Sequence, residues 1–159
     1  MSKLAILGGD PVLRPKQIGP YGGNPWKFQD LEEALCALTG AKYSYPVSNG
    51  TSALIASLAA CGVGNHDEVI TVWHTWVASI AAILRVNAIP VFVDIDPRTY
   101  MIAPSKIEAA ITPRTKAIMP VDLYGNASAV YEVMDIASRH GLYVVEDACQ
   151  SGGAAINGV

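Results

Sequence analysis

The chain has 159 residues, is 51% hydrophobic and only 16% charged, and carries a formal net charge of −3 with no Lys/Arg cluster. That length holds one compact domain with a substantial core, and that charge excludes the electrostatic footprint of a nucleic-acid binder. Charges, His or Pro break every apolar run before the ~20 residues of a membrane span, and the short run after Met1-Ser2-Lys3 is no signal peptide.

Residues 1–27 are rich in Gly and Pro without sustained periodicity, which predicts an irregular arm. Phe28, Leu31, Ala34, Leu35 and Leu38 then recur at helical spacing, with acidic residues at the start and Gly40 at the end. A short strand is expected over Tyr43–Val47. Helices are expected over Thr51–Cys61, Thr75–Asn87, Pro104–Ile111 and Ala127–His140. Between them, Glu68–Trp73, Ile89–Ile95, Lys116–Leu123 and Leu142–Asp147 read as strands. Unbroken hydrophobic strands alternating with helices indicate a mostly parallel sheet covered by helices on both faces, a three-layer α/β architecture. In the last helix Val130, Val133, Met134, Ala137 and His140 or Gly141 mark the expected buried face. No linker or repeat interrupts residues 28–159, which are read as one domain. The three cysteines, Cys36, Cys61 and Cys149, lack metal-ligand spacing and cannot all pair, as expected of reduced thiols in a cytoplasmic protein.

Ligands of open α/β sheets bind outside the carboxyl ends of the strands. Three segments bring chemistry to that edge. In Ser48-Asn49-Gly50-Thr51-Ser52, Gly50 permits close backbone approach, and the first-turn amides with the Thr51 and Ser52 hydroxyls suit an anion such as phosphate. The same run also reads as an ordinary Asn-Gly turn with a Ser or Thr helix cap. In Trp73-His74-Thr75-Trp76, the Trp76 indole, expected in a first helical turn, serves either as core packing or as a flat surface for a planar ring. Asp147 ends an apolar strand, where a carboxylate needs a partner. A protonated pyridine nitrogen is one, a helix cap another, a metal a third; no His or Cys cluster supports the metal. Gln150, one turn on, is in reach of an oxygen on the same ring.

The order of these segments is more specific than any one of them. Together with Asp67-Glu68-Val69-Ile70, Pro90-Val91-Phe92-Val93-Asp94, Ile111-Thr112-Pro113-Arg114-Thr115-Lys116, Leu123-Tyr124-Gly125 and Glu146-Asp147-Ala148-Cys149-Gln150, the sequence resembles the DegT/DnrJ/EryC1/StrS aminotransferase family over residues 28–158. The opening Gly8-Gly9-Asp10-Pro11-Val12 and Trp76 after Thr75 are similar to the branch acting on cyclitols. The resemblance implies the N-terminal part of the large domain of a fold-type I pyridoxal 5′-phosphate-dependent transferase. It implies that Gly50, Thr51 and Ser52 hold the cofactor phosphate and Trp76 stacks on the ring. Asp147 would pair with the ring nitrogen and Gln150 would reach the 3-hydroxyl. It further implies a homodimer that moves an amino group from an amino acid, often glutamate or glutamine, to a keto-sugar or keto-cyclitol.

The chain departs from the family in several places. The Schiff-base lysine falls beyond Val159 in the family register, and none of Lys3, Lys16, Lys27, Lys42, Lys106 and Lys116 matches it, so no catalytic residue is assigned. The stretch between Gly9 and Phe28 is short for the family's first long helix, and Gly152 and Asp122 stand where members often carry His. Three readings follow: a fragment of a full-length aminotransferase, an inactive truncated homologue, or an interaction half-domain completed by another chain. A Rossmann dehydrogenase is disfavoured because no Gly-x-Gly-x-x-Gly follows a strand.

Overall fold

A computed structural model describes residues 27–127 and 129–156. The chain divides into two compact units, Met1–Pro46 and Val47–Val159. Apart from Lys27, the expected arm lies outside the described residues.

In the first unit, α1 (Phe28–Thr39) opens with the Lys27 amide donating to Asp30 Oδ2 at 2.7 Å and closes on Gly40, left-handed at φ 72°. Its predicted apolar stripe forms a helix as expected, but the helix buries none of its residues; Phe28, Leu31 and Leu38 are exposed. The strand expected over Tyr43–Val47 is absent. Tyr43 and Tyr45 are exposed, and no neighbouring strand among the described residues pairs with this stretch.

The second unit runs α2 (Gly50–Ala60), β1 (Glu68–Val72), α3 (Val77–Arg85), β2 (Ile89–Val93), α4 (Pro104–Ile107), β3 (Thr115–Ile118), α5 (Val130–His140) and β4 (Tyr143–Val144). The four strands form one parallel sheet in the order β2-β1-β3-β4. Central β1 is buried along its whole length, as a parallel strand covered on both faces must be. Side-chain alternation divides the core. Ile70, Val72, Ile118 and Val121 face Ile107 of α4 and Val133, Ile136 and Ala137 of α5. Val69, Ala117, Met119 and Val145 face Leu54 and Leu58 of α2 and Ala82 and Ile83 of α3. This is the expected three-layer arrangement.

Several boundaries differ from the sequence reading for identifiable reasons. The strand expected to run to Asp147 is regular only over Tyr143–Val144. The segment that continues its partner β3 contains Pro120, which has no N–H to give the ladder. Pairing continues irregularly through Val145 N–H to Ile118 O (3.0 Å), Asp147 N–H to Pro120 O (2.9 Å) and a bridge between Val121 and Asp147. The helix expected from Pro104 to Ile111 tightens after Ile107 into a 3₁₀ turn, Glu108–Ala110. Helix α5 begins at Val130 and buries Ile136 in place of Met134, which is exposed.

Candidate functional site

The site is built where β1, β3 and β4 end. Helix α2 starts here. Asn49, in extended conformation, caps it by accepting the Ser52 amide on Oδ1 at 2.9 Å, so the cap is the asparagine and not a neighbouring Ser or Thr. The Ser52 hydroxyl meets Ser48 Oγ at 3.3 Å. The amides of Gly50 and Thr51 stand in the first turn, where no intrahelical carbonyl reaches them and where the helix dipole is positive. Gly50 is required by its surroundings: a Cβ there would stand 2.6 Å from Cys149 Sγ. The start of α2 is therefore pressed directly against the segment that follows β4.

That segment carries Asp147, whose backbone is locked into the sheet and whose side chain is 6% exposed. The Ser79 hydroxyl, from α3, donates to Asp147 Oδ2 at 2.7 Å, and Ser79 Oγ also meets Thr75 Oγ1 at 2.7 Å. The other carboxylate oxygen, Oδ1, receives the Cys149 amide at a longer 3.3 Å. The carboxylate also acts on the Cys149 thiol. Their hydrogen bond, with burial and charge repulsion adding to it, pushes the thiol up to about 11. Trp76 sits one residue beyond Thr75. It was expected inside the first turn of the helix, but it is the N-cap of α3, in extended conformation, with its side chain 73% exposed.

On the other side of Asp147, the Gln150 side chain accepts the Tyr124 amide on Oε1 at 2.8 Å. Tyr124 holds a left-handed backbone (φ 58°) in the turn Leu123–Gly125. Its ring and that of Tyr100 lie 6.5 and 6.1 Å from the His74 ring. Trp73, 71% exposed, stacks edge-on against Phe92 at 4.6 Å. Between the ends of β1 and β2 lies a cleft of about 430 Å³ lined by Trp73, His74, Thr75, Val93, Asp94 and Ile95. Behind this surface Asp122, 2% exposed, accepts the Ser151 hydroxyl at 2.7 Å. Burial and the neighbouring Asp122 carboxyl push Glu146 up to about 7.

Gly50, Thr51 and Ser52 thus lie on one helical turn, joined to the Asp147 segment through Cys149. Trp76 lies one turn before Ser79, the residue that holds Asp147. Gln150 is engaged by the Tyr124 amide through Oε1. Sequence reasoning missed Asn49 as the cap, Ser79 as the partner of Asp147 with Thr75 bonded to Ser79, Cys149 as the wall behind Gly50, and the Asp122–Ser151–Glu146 group. One signal was available. Ser79 is a small polar residue inside the otherwise apolar run Val77–Leu84, and a buried hydroxyl needs a partner. Among the described residues no group of three or more His, Cys, Asp or Glu could hold a metal ion. Nor is any described helix long and apolar enough to cross a membrane.

A parallel sheet covered by helices on both faces, with polar and aromatic groups gathered outside the carboxyl ends of its strands, is an α/β architecture that binds its ligands at that edge. Residues 23–159 match the DegT/DnrJ/EryC1/StrS aminotransferase family, and the chain belongs to it. It is 50% identical over 147 residues to the UDP-2-acetamido-2-deoxy-3-oxo-D-glucuronate aminotransferase of Pseudomonas aeruginosa, covering 92% of this chain and 41% of that protein. It is 42% identical over 141 residues to the L-glutamine:2-deoxy-scyllo-inosose aminotransferase of Streptomyces paromomycinus, covering 89% and 33%. Among solved structures, NtdA from Bacillus subtilis with bound cofactor PMP superposes with a TM-score of 0.79 at 40% identity, over 88% of this chain and 31% of that one. The chain therefore spans between about a third and two fifths of the length of these proteins.

Proposed function

We propose that this chain forms the cofactor cradle of a pyridoxal 5′-phosphate-dependent aminotransferase, which transfers an amino group from an amino acid to a keto-sugar or keto-cyclitol. The observation that carries the reading is Asp147: a carboxylate 6% exposed at the carboxyl edge of the sheet, with one oxygen held by Ser79 and the other only lightly engaged. A buried carboxylate of this kind needs a cationic partner, and a protonated pyridine nitrogen is one. When bound, pyridoxal phosphate supplies an electron sink that lets an amino group pass between donor and acceptor. The chain's own residues do the holding. The free amides of Gly50 and Thr51, with the Thr51 and Ser52 hydroxyls, take the phosphate. Trp76 offers an exposed indole face for the ring. With Oε1 of Gln150 occupied by the Tyr124 amide, its NH₂ group is left to donate to the 3-oxygen of the ring.

No lysine of this chain matches the Schiff-base position, so transfer belongs to the full-length protein, read as a homodimer. The three free thiols fit a reducing, cytoplasmic setting. The test is titration of the chain with pyridoxamine 5′-phosphate, which needs no lysine, followed by indole fluorescence. Saturable quenching, abolished in Asp147→Ala, is expected. No saturable binding by the unsubstituted chain overturns the cradle. Borohydride treatment with pyridoxal phosphate is expected to leave no lysine specifically modified, and a single reduced adduct on one lysine would contradict that.

A further inference from the structure

The Thr75–Ser79 pair has no place in the phosphate cradle, the stacking surface or the core. Ser79 is 0% exposed on a helix whose other buried residues are Ala82 and Ile83. A serine inside a helix ordinarily returns its hydroxyl proton to a carbonyl one turn back. Here the proton goes instead to a carboxylate 68 residues away, at 2.7 Å. Because Ser79 has one hydroxyl proton and gives it to Asp147, Ser79 must accept in its 2.7 Å contact with Thr75, and Thr75 must donate. The chain of hydroxyls therefore has one polarity, Thr75 to Ser79 to Asp147 Oδ2, and each bond strengthens the next. Thr75 itself lines the open cleft between β1 and β2.

We infer that Ser79, backed by Thr75, is a positioning residue that fixes the Asp147 carboxylate through Oδ2 and leaves its Oδ1 for the ring nitrogen of the cofactor. The inference rests on the proposed cofactor reading and goes beyond it. A proton shared between a carboxylate and a pyridine nitrogen sits on whichever group is the stronger base. A hydroxyl donating to Oδ2 stabilises the carboxylate and leaves the proton on the ring. It also fixes the carboxylate plane, with Oδ1 left to the weaker 3.3 Å bond from the Cys149 amide. The titratable group facing Asp147 is the Cys149 thiol, pushed up to about 11 and so neutral below pH 10. Asp122, whose amide bonds the Asp147 carbonyl, has its carboxyl engaged with Ser151 and Glu146. Trp76 lies in the same turn as Thr75, so one helix start would set both the ring's stacking surface and its proton.

The experiment uses the chain with pyridoxamine 5′-phosphate labelled with ¹⁵N in the ring, whose nitrogen shift separates protonated from neutral pyridine. In the unsubstituted chain the bound ring is expected to stay protonated to higher pH than free pyridoxamine phosphate. In Ser79→Ala the midpoint is expected to fall by about one pH unit, the size of shift that a hydrogen bond to a charged group sustains. Thr75→Val, which keeps Ser79 but removes its donor, and Ser79→Cys, a weaker donor of similar shape, should fall between the two. Asp147→Asn should abolish the upward shift. Binding with an unchanged ring midpoint in Ser79→Ala overturns the inference and leaves the cradle standing. If Ser79→Ala does not fold, unchanged midpoints in both Thr75→Val and Ser79→Cys overturn it equally. No bound ring signal with the unsubstituted chain defeats the cradle reading, and this inference with it.

Discussion

At Gly50 the constraint is a neighbouring sulfur atom, since its missing Cβ would stand 2.6 Å from Cys149 Sγ. A thiol can rotate aside, but the Asp147 carboxylate beside this one raises its pKa, and turning the thiol away gives up that interaction. Gly50→Ala is therefore expected to destabilise the chain by about 1–3 kcal/mol, the usual cost of overpacking a filled space. The same substitution in a Cys149→Ala background is expected to be neutral or slightly stabilising, because alanine is the better helix residue. Urea denaturation of the four proteins of this cycle measures the coupling, and equal effects of Gly50→Ala in both backgrounds would disprove it. Residue by residue, the site was partly legible. Gly50, Thr51 and Asp147 could be singled out because their local sequence surroundings already imply unpaired amides or an unpaired carboxylate. Ser79 and Cys149 could not, since their roles exist only once α3 and the segment after β4 are packed together.

At the level of elements, the alternation of helices and apolar strands was legible because each strand must be hydrophobic on both faces to be covered by α2 and α3 on one side and α4 and α5 on the other. The ends of elements were less so. Pro120, just past β3, has no N–H for the ladder, and Trp76 precedes α3 as its extended N-cap instead of entering its first turn. The start of α2 was read correctly as a capped turn but with the wrong cap, and that difference is testable. Asn49→Ala removes the acceptor of the Ser52 amide and is expected to cost about 1 kcal/mol in urea unfolding. Asn49→Asp keeps the acceptor and suits the helix dipole, so stability is expected to hold. Yet the new carboxylate would stand beside the amides assigned to the phosphate, and affinity for pyridoxamine phosphate is expected to fall at least about tenfold from like-charge repulsion. A loss of stability and an unchanged affinity in Asn49→Asp would show that this helix start is a cap and no anion site.

For the molecule as a whole, two acidic groups with opposite shifts set a pH window for stability. Glu68, 3% exposed at the head of β1, is held ionised by hydrogen bonds from Thr112 and Arg114, and these lower its pKa from 4.5. Its contribution is present above pH 4.5 and is lost as pH falls through the lowered value. The exposed pairs Asp96–Arg98 and Glu108–Arg139 shift in the same direction but are open to solvent, where such bridges contribute little. Glu146 runs the other way. Its pKa rises from 4.5 to about 7, so between those values the folded chain binds a proton that the unfolded chain releases. Stability therefore falls as pH rises from 4.5 through 7, and the loss is complete above it. Glu146→Gln replaces the carboxyl with a neutral group of the same shape and removes this second limb. Its stability is expected to match the unsubstituted chain below pH 4.5, to exceed it by a growing margin up to about pH 7, and to hold that margin beyond. Urea midpoints taken across this range measure the margin directly. A margin independent of pH would mean that Asp122 and Glu146 do not share a proton, and that the acidic group behind the site is held apart by solvent. Neither sequence segment announces this pair, because Asp122 and Glu146 meet only where the segments that follow β3 and β4 come together at the Val121–Asp147 bridge.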